Sequence, residues 1–221
     1  MESIFGYELN KTFDYENGFY VTSDPRRMQK LIAHYELYKK ITNLPGAIVE
    51  CGVFKGTSLI RFAQFRDMLE SAYSRKIIGF DAFGKFPISN DGMHDQVFIE
   101  KFEREAGDGM SVAELQAVFD HKGISNVELV AGNISETVPE YQKLHPELKI
   151  SILHIDVDVY LPSKVALEYL YEHVVPGGIC IFDDYGTVYG ETKAVDEFFA
   201  GKSIKLLKLP CSHIPTYLVK E

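Results

Sequence analysis

The sequence predicts one α/β domain, built on a doubly wound, seven-stranded and mostly parallel sheet with an N-terminal helical extension. Two observations support this fold class. Short apolar runs alternate with amphipathic stretches along most of the chain, which is typical of strands that alternate with helices. The apolar run 47–51 also passes through a turn at Gly52 and Gly56 into a helical pattern. That sequence of elements is common where doubly wound sheets bind ligands.

The composition narrows the function classes. The chain has 221 residues, 46% of them hydrophobic, and a net charge of −9. The negative charge and the lack of a dense Lys/Arg cluster argue against nucleic-acid binding. No stretch resembles a signal peptide or approaches the roughly 20 apolar residues that a membrane span needs. We therefore expect a cytoplasmic protein without nucleic-acid or membrane partners.

The N-terminal residues 1–24 are predicted to form an arm, and residues 25–221 a single domain. The arm carries many aromatic residues without a clear period. We expect it to pack on the domain or on a second subunit, which would give a homodimer; part of a substrate lid is the alternative. Pro25 after Ser23 and Asp24 indicates a helix start, and an apolar stripe continues that helix to Ile41.

The remaining elements follow from periodicity. Strands are predicted at 47–51, 76–80, 127–130, 148–156, 179–182, 204–209 and 215–219, the last two as an antiparallel hairpin. Helices are predicted at 57–72, 112–119, from 162, and at 192–199, and residues 132–139 are expected to form a turn and a short helix start. Phe83–Gly109 is only partly periodic and long for a connection, so we expect it to cover the site.

The turn after the first strand reads Glu-x-Gly-x-x-x-Gly, from Glu50 to Gly56. It lacks one glycine of the dinucleotide fingerprint and places an acid where a pyrophosphate would be repelled. Glu50 suits a ligand with cationic groups and hydroxyls. S-adenosylmethionine (SAM) has an ammonium, a sulfonium and ribose hydroxyls. Turn geometry alone is the competing explanation of the glycines.

Asp81 ends the second predicted strand, one βα unit after the glycine turn. An acid at this point is suitably placed to accept hydrogen bonds from two ribose hydroxyls. The alternative is that Asp81 caps the segment that follows.

Four aspartates end two strands that we expect to be neighbours: Asp156, Asp158, Asp183 and Asp184. Carboxylates gathered in one crevice repel each other unless a cation joins them. A hard divalent ion with oxygen ligands fits best, with Mg²⁺ preferred and Ca²⁺ or Mn²⁺ as alternatives. Helix capping is the competing explanation, above all for Asp158. We expect the ion to lower the pKa of an acceptor hydroxyl and Asp156 to take its proton.

Several short stretches, spread over most of the chain, are specific only in combination. They are Leu44–Gly46, Ile48–Ser58, Gly79–Phe83 with Phe86–Pro87, His154–Tyr160, Pro176–Gly178, Phe182–Gly186 and Ala194–Phe199. Together they resemble the macrocin O-methyltransferase (TylF-like) family of class I SAM-dependent methyltransferases. The N-terminal portion is shorter than is usual in that family, and Ile88–Gly109 matches no pattern that we can assign.

The resemblance implies a Rossmann-like fold, SAM as methyl donor, and Mg²⁺-dependent transfer to a hydroxyl of a small molecule, often a sugar on a natural product. It implies a metal site of Asp156, Asp183 and Asp184, with Asp156 also as base. It implies cofactor contacts from Glu50, Gly52, Phe54, Ser58, Asp81, Ala82 and Asp156. The alternatives are a metal-independent N- or C-methyltransferase, an inactive SAM-binding protein and, least supported, a nicotinamide-dependent oxidoreductase.

Overall fold

A computed structural model describes residues 2–87 and 92–221 of the chain. The predicted arm begins with two short antiparallel strands, β1 (Ser3–Ile4) and β2 (Tyr7–Glu8), followed by the helix α1 (Thr12–Thr22). The sequence predicts an N-terminal helical extension but gives no helix boundaries within the arm, and the structure explains why. Within the described chain none of the residues of α1 is buried, so its aromatic residues follow no core-facing period.

Helices and strands alternate after the arm, as predicted. The helices are α2 (Pro25–Lys39), α3 (Thr57–Leu69), α4 (Met93–Ala106), α5 (Val112–Lys122), α6 (Ile134–Leu144), α7 (Tyr160–Leu170) and α8 (Tyr189–Phe199). The strands are β3 (Ala47–Cys51), β4 (Ile77–Asp81), β5 (Val127–Ala131), β6 (Ile150–Ile155), β7 (Val174–Phe182), β8 (Leu207–Lys208) and β9 (Thr216–Val219).

The described residues form one sheet of seven strands in the order β5-β4-β3-β6-β7-β9-β8. The first five strands are parallel, and β9 pairs antiparallel with both β7 and β8. The predicted fold class is therefore confirmed. The chain builds outward from β3 to β5 and then returns to β6 on the other side of β3. This reversal between β3 and β6 creates the crevice in which such sheets bind ligands.

Two apolar layers cover the sheet. One contains Val49, Phe80 and Leu153 with residues of α6, α7 and α8, and the other contains Ile48, Ile77 and residues of α2, α3 and α5. Strands β3 and β6 are buried along their whole length, which explains their nearly continuous apolar sequences. In the described chain no helix is long and apolar enough to cross a membrane.

Some predicted boundaries differ from the observed ones. The predicted cover Phe83–Gly109 contains α4, which the sequence analysis did not predict; among its described residues only Asp95 is buried. Residues 88–91 of this cover, which include the start of Ile88–Gly109, lie outside the described residues. Strand β7 begins at Val174, five residues before the predicted strand 179–182, and its register with β6 shifts along the added part. The predicted strand 204–209 is reduced to two residues.

Candidate active site

The carboxyl ends of three central strands carry turns in an uncommon conformation. Phe54 after β3, Phe83 after β4 and Asp158 after β6 have positive φ angles of 51°, 52° and 65°. Non-glycine residues rarely adopt this left-handed region, and such residues are frequent at ligand sites, where the surrounding structure holds them. These three turns border the crevice that the strand order creates.

Gly52 lies where the turns after β3 and β6 touch. Its φ is +91°, and a Cβ atom at this position would lie 1.8 Å from the backbone oxygen of Asp156. The Asp156 N–H in turn donates to the Cys51 carbonyl at 2.9 Å. Gly52 is therefore required by the contact between the two turns, independently of any ligand.

Asp81 organises the same edge. Its Oδ2 accepts hydrogen bonds from the N–H groups of Val53 (2.6 Å) and Phe54 (2.9 Å), and its Oδ1 accepts one from Phe83 (2.6 Å). The carboxylate thus fixes both the glycine turn after β3 and the turn after β4. The second of these contacts agrees with the alternative that Asp81 caps the segment that follows it. Oδ2 thus uses both of its acceptor positions, whereas Oδ1 can accept one further hydrogen bond. The arrangement therefore leaves room for one of the two predicted bonds from ribose hydroxyls.

Two cavities open at this edge. The first has a volume of about 370 Å³, and its lining includes Gly52, Asp81, Ala82, Phe86, Phe102, Asn133, Ile134 and Asp156. The second, about 1010 Å³, is more open, and its lining includes Lys30, Gly52, Phe54, Ser58, Asp156, Asp183, Asp184 and His213. Gly52, Phe54, Asp156 and Asp158 line both. The two cavities therefore meet at the turns after β3 and β6.

Asp156, Asp183 and Asp184 come together as predicted, because β6 and β7 are neighbours. One oxygen atom of each carboxylate lies within 4.8 Å of those of the other two. An ammonium group from α2 joins the cluster, since Lys30 Nζ donates to Asp183 Oδ2. The cluster thus contains three carboxylates and the ammonium group of one lysine.

The electrostatic environment divides the acids into two kinds. Burial alone would raise the pKa of Asp183, but Lys30, the hydrogen bond to His154 and the nearby His34 outweigh it and hold that pKa well below its usual range. Burial and the neighbouring charge of Asp183 raise the pKa of Asp156 to about 8, and they also raise the pKa of Asp184. Asp183 is therefore a stabilised carboxylate, whereas Asp156 and Asp184 still lack a compensating cation.

Asp158 and Glu191 extend the acidic cluster inward. Burial and the charge of Asp156 raise the pKa of Asp158, and burial and the charge of Asp184 raise that of Glu191. Their backbones also hold the site, because the Asp158 carbonyl accepts from the Glu191 N–H at 3.0 Å. Glu191 Oε1 accepts from the Asp184 N–H at 2.9 Å. Helix capping is the competing explanation for Asp158, and its backbone carbonyl, though not its side chain, does bind an N–H group in the first turn of α8.

Glu50 lies differently from the other predicted cofactor residues, whereas its partner Ser58 lines the second cavity. Glu50 is fully buried, lines neither cavity, and accepts a hydrogen bond from Ser58 Oγ at 2.7 Å. Its second oxygen lies 3.5 Å from His154 Nδ1, and His154 Nε2 lies 3.4 Å from Asp183 Oδ1. Glu50 therefore supports the site from below, through His154.

Two site residues were missed by the sequence analysis, Lys30 and His34 on α2. His34 is fully buried, with Nε2 3.7 Å from Asp183 Oδ1, and burial lowers its pKa to about 4. Lys30 and His34 are four residues apart and share a helix face. That spacing was the available signal, but the sequence alone does not show that this face meets β7.

Comparisons with known proteins agree with this architecture. The crystal structure of CalS11, a calicheamicin methyltransferase, is 26% identical and matches with a TM-score of 0.69, over 94% of this chain and 85% of that chain. The chain is 26% identical over 147 residues to mycinamicin III 3''-O-methyltransferase of Micromonospora griseorubida. It is 27% identical over 146 residues to 8-demethyl-8-(2,3-dimethoxy-alpha-L-rhamnosyl)-tetracenomycin-C 4'-O-methyltransferase of Streptomyces olivaceus.

Each of these two alignments includes 64% of this chain and 56% and 54%, respectively, of the relative. The chain thus spans about half the length of the curated relatives that it matches. The family model of macrocin-O-methyltransferase (TylF) matches residues 14–216, which is nearly the whole chain. The resemblance of the sequence motifs is thereby confirmed, and the chain belongs to the macrocin-O-methyltransferase (TylF) family.

Proposed function

We propose that this protein is a SAM-dependent, Mg²⁺-assisted O-methyltransferase that acts on a hydroxyl of a small molecule, either a sugar or a glycosylated natural product. One observation carries the proposal: two cavities meet at Gly52 and Asp156, beside a cluster of carboxylates. Transfer between two ligands requires such a shared boundary, because donor and acceptor must be aligned in contact. The names of the curated relatives, which are O-methyltransferases of sugar-bearing compounds, support the acceptor class.

The first cavity suits the donor. Its volume of about 370 Å³ falls within the usual range for small-molecule sites. Ala82, Phe86, Phe102 and Ile134 supply apolar walls for a purine ring. Asp81 supplies the remaining acceptor position on Oδ1 for a ribose hydroxyl. SAM bound there would supply an electrophilic methyl group on its sulfonium.

The acidic cluster suits a divalent cation. Two of its three carboxylates, Asp156 and Asp184, have raised pKa values caused by burial and by Asp183. A hard ion with oxygen ligands would relieve this repulsion. Asp156, Asp183 and Asp184 would hold the ion. When bound, Mg²⁺ would supply a Lewis acid that lowers the pKa of an acceptor hydroxyl.

Asp156 is the proposed general base. It lines both cavities, so its carboxylate can reach a hydroxyl in the second cavity close to a donor in the first. Burial and Asp183 raise its pKa to about 8 in the absence of a cation. A cation bound beside it would lower that pKa, so that Asp156 is ionised and able to accept the proton. Lys30 keeps Asp183 ionised, so that the proton goes to Asp156.

Lys30 also favours the alternative, a metal-independent methyltransferase. Its ammonium already binds Asp183, so an amine or a hydroxyl could be positioned by the aspartates without an added ion. The experiment therefore has two stages. Calorimetry with S-adenosylhomocysteine (SAH) tests donor binding, and an inactive SAM-binding protein would bind SAH without any later turnover.

Transfer of a radiolabelled methyl group from SAM to a panel of sugars and glycosides is then measured in EDTA and after Mg²⁺ is added back. We expect SAH binding, and turnover that EDTA abolishes and Mg²⁺ restores. Asp156→Asn should lower kcat by about 10²-fold or more, the usual contribution of a general base, and leave SAH affinity within a few-fold. Full activity in EDTA would support the metal-independent alternative. Failure to bind millimolar SAH would overturn the proposal.

A further inference from the structure

A second group of possible metal ligands lies next to the acidic cluster and shares one residue with it. The group, here called the histidine cluster, consists of His34 on α2, His154 on β6 and Asp183 directly after β7. One ligand atom of each residue lies within 4.8 Å of those of the other two. Both histidines are fully buried and Asp183 is 1% exposed. Two imidazoles and one carboxylate favour a different class of ion from the three carboxylates of the acidic cluster.

Both histidines of this cluster face the same carboxylate oxygen. His154 Nε2 lies 3.4 Å and His34 Nε2 3.7 Å from Asp183 Oδ1. These separations are long for hydrogen bonds. A zinc ion about 2.0–2.1 Å from each of its ligands places neighbouring ligand atoms of a tetrahedron roughly 3.4 Å apart. The observed spacing is therefore close to that of a tetrahedral metal site.

His34 supplies the observation that points to a ligand. Among the described residues neither of its ring nitrogens has a hydrogen-bond partner, although the side chain is fully buried. Buried polar groups nearly always have a partner, and a bound ion is one explanation of an exception. The Phe62 ring stacks on the imidazole at a centroid distance of 5.1 Å and so restrains its orientation. A metal ion at Nε2 would supply the missing partner.

His154 has the surroundings that are typical of a metal-binding histidine. Its Nε2 faces Asp183, and its Nδ1 lies 3.5 Å from Glu50 Oε2. Histidine ligands commonly direct the second ring nitrogen to a carboxylate, which orients the ring. Glu50 is itself held, because Ser58 Oγ donates to its Oε1 at 2.7 Å. Glu50 is thus placed to support a metal ligand.

A protonated His154 that joins Glu50 to Asp183 is the alternative. It would account for those two contacts without an ion, but it would leave both nitrogens of His34 without a partner. Zinc would displace that proton, as metal ions do when they bind histidine. Lys30 binds Oδ2 of Asp183 and leaves Oδ1 to the histidines. Asp183 and Lys30 line the second cavity, which provides a route for an ion and a water ligand.

We propose that His34, His154 and Asp183 bind a divalent ion that prefers imidazole ligands, with Zn²⁺ as the first choice and water as the fourth ligand. Since Asp183 belongs to both clusters, zinc here would compete with an ion of the acidic cluster for that carboxylate. The proposal does not rest on the methyltransferase function, because its ligands and their contacts do not depend on a methyl donor or acceptor.

Calorimetry of metal-stripped protein with Zn²⁺ alone is the test. Loss of a supporting carboxylate typically weakens metal binding by about 10–100-fold, which we expect for Glu50→Gln, and removal of a ligand in His34→Gln should exceed it. His121→Gln, which removes an exposed histidine, is the matched control and should stay within twofold of wild type. Asp184→Asn should also bind Zn²⁺ within a few-fold of wild type, because Asp184 belongs to the acidic cluster alone.

Co²⁺ in place of Zn²⁺ gives a readout that needs no variant. A tetrahedral site with two imidazoles should give intense visible absorption, whereas an octahedral site of oxygen ligands gives a weak spectrum. A weak spectrum, or equal Zn²⁺ affinity of wild type and folded His34→Gln, would overturn the site. Loss of Zn²⁺ binding in Asp184→Asn would place the ion in the acidic cluster instead. If His34→Gln does not fold, the Co²⁺ spectrum of wild type remains the test.

Discussion

Both the fold and the candidate site require that residue 52 has no side chain. A methyl group there would meet the Asp156 backbone oxygen at 1.8 Å, so Gly52→Ala must push the turns after β3 and β6 apart. We expect a loss of about 1–3 kcal/mol in the free energy of unfolding from overpacking, plus about 1–2 kcal/mol from the positive φ. SAH binding should fall below detection, because both cavities share this turn. Thermal melting and calorimetry measure the two effects.

Gly201→Ala separates these two causes. Gly201 also has a positive φ, +74°, but among the described residues no atom lies within 4 Å of the position that an alanine methyl group would occupy. This variant should lose only about 1–2 kcal/mol and bind SAH normally. If Gly52→Ala and Gly201→Ala behaved alike, the contact between the two turns would not be what requires glycine.

Asp183 and Asp184 are adjacent acids with opposite electrostatic situations. Burial alone would raise the pKa of Asp183, but Lys30 outweighs that effect and the pKa is lowered, so the charged form of Asp183 is stabilised. Burial and Asp183 raise the pKa of Asp184, so its charged form is destabilised. In metal-free protein at pH 7, Asp183→Asn should therefore lower the free energy of unfolding by about 3 kcal/mol, the cost of breaking a buried ion pair. Asp184→Asn should leave it unchanged or raise it.

Thermal melting in EDTA measures both variants. For a chain of this size, 1 kcal/mol corresponds to about 2–4 °C in Tm, so the two variants should differ clearly. Adding Mg²⁺ should raise the Tm of wild type and have little effect on either variant, because each lacks one proposed ligand. Glu140→Gln, an exposed acid away from the cluster, controls for net charge. Equal destabilisation of both variants in EDTA would contradict the assignment.

The meeting of Asp156, Asp183 and Asp184 could be predicted at the residue scale, because strand ends and strand order determine it. The direction of Glu50 could not. Strand β3 is buried on both faces, so the alternation of its side chains does not reveal which face borders the site. The Glu50 side chain lines neither cavity and contacts Ser58 and His154 instead. Its predicted contact with the donor stays a prediction.

The helix α4 is the element that closes the site, and Asp95 holds it. Asp95 Oδ2 accepts a hydrogen bond from the Tyr160 N–H at 2.8 Å, at the start of α7. Ile99 and Phe102 of α4 line the first cavity. We expect Asp95→Ala to lower the free energy of unfolding by about 1.5–3 kcal/mol, typical of a hydrogen bond to a charged group. SAH affinity should fall several-fold because the wall formed by α4 loosens.

Hydrogen exchange followed by mass spectrometry shows where Asp95→Ala acts. Exchange should rise in α4 and at the start of α7 and remain unchanged in β3 and β6, which are fully buried. Glu100→Ala, an exposed position on α4, is the control and should alter neither exchange nor SAH affinity. Faster exchange spread evenly over the chain would mean that Asp95 serves global stability and has no particular role in holding α4.

Elements could be predicted from the sequence wherever they face the core. All seven sheet strands and the helices that cover them carry apolar residues at the spacing that burial requires. Helix α1 buries no residue among those described, and a helix without a buried face leaves little periodic signal. Helix α4 does carry an apolar face, but it was missed because it lies in the stretch interpreted as a cover.

The exposed apolar surface of α1 bears on the oligomeric state of the whole molecule. Phe13, Tyr20 and Val21 of this helix are 83%, 64% and 72% exposed in the single chain. Large apolar side chains grouped on one surface element are typical of protein–protein interfaces. The sequence analysis expected the arm to pack on the domain or on a second subunit, and this exposure favours the second subunit. We predict a homodimer in which α1 is covered by the partner.

Light scattering coupled to size-exclusion chromatography tests this prediction, and the chain mass of 25.1 kDa makes a monomer and a dimer easy to distinguish. Wild type should elute as a dimer. Phe13→Ser combined with Tyr20→Ser should shift it to a monomer at low protein concentration, because these two side chains would supply much of the apolar contact. Tyr73→Ser is the matched control: Tyr73 is 97% exposed and lies between α3 and β4, outside α1. A monomeric wild type at high concentration would refute the dimer. Dissociation by Tyr73→Ser alone would place the interface elsewhere.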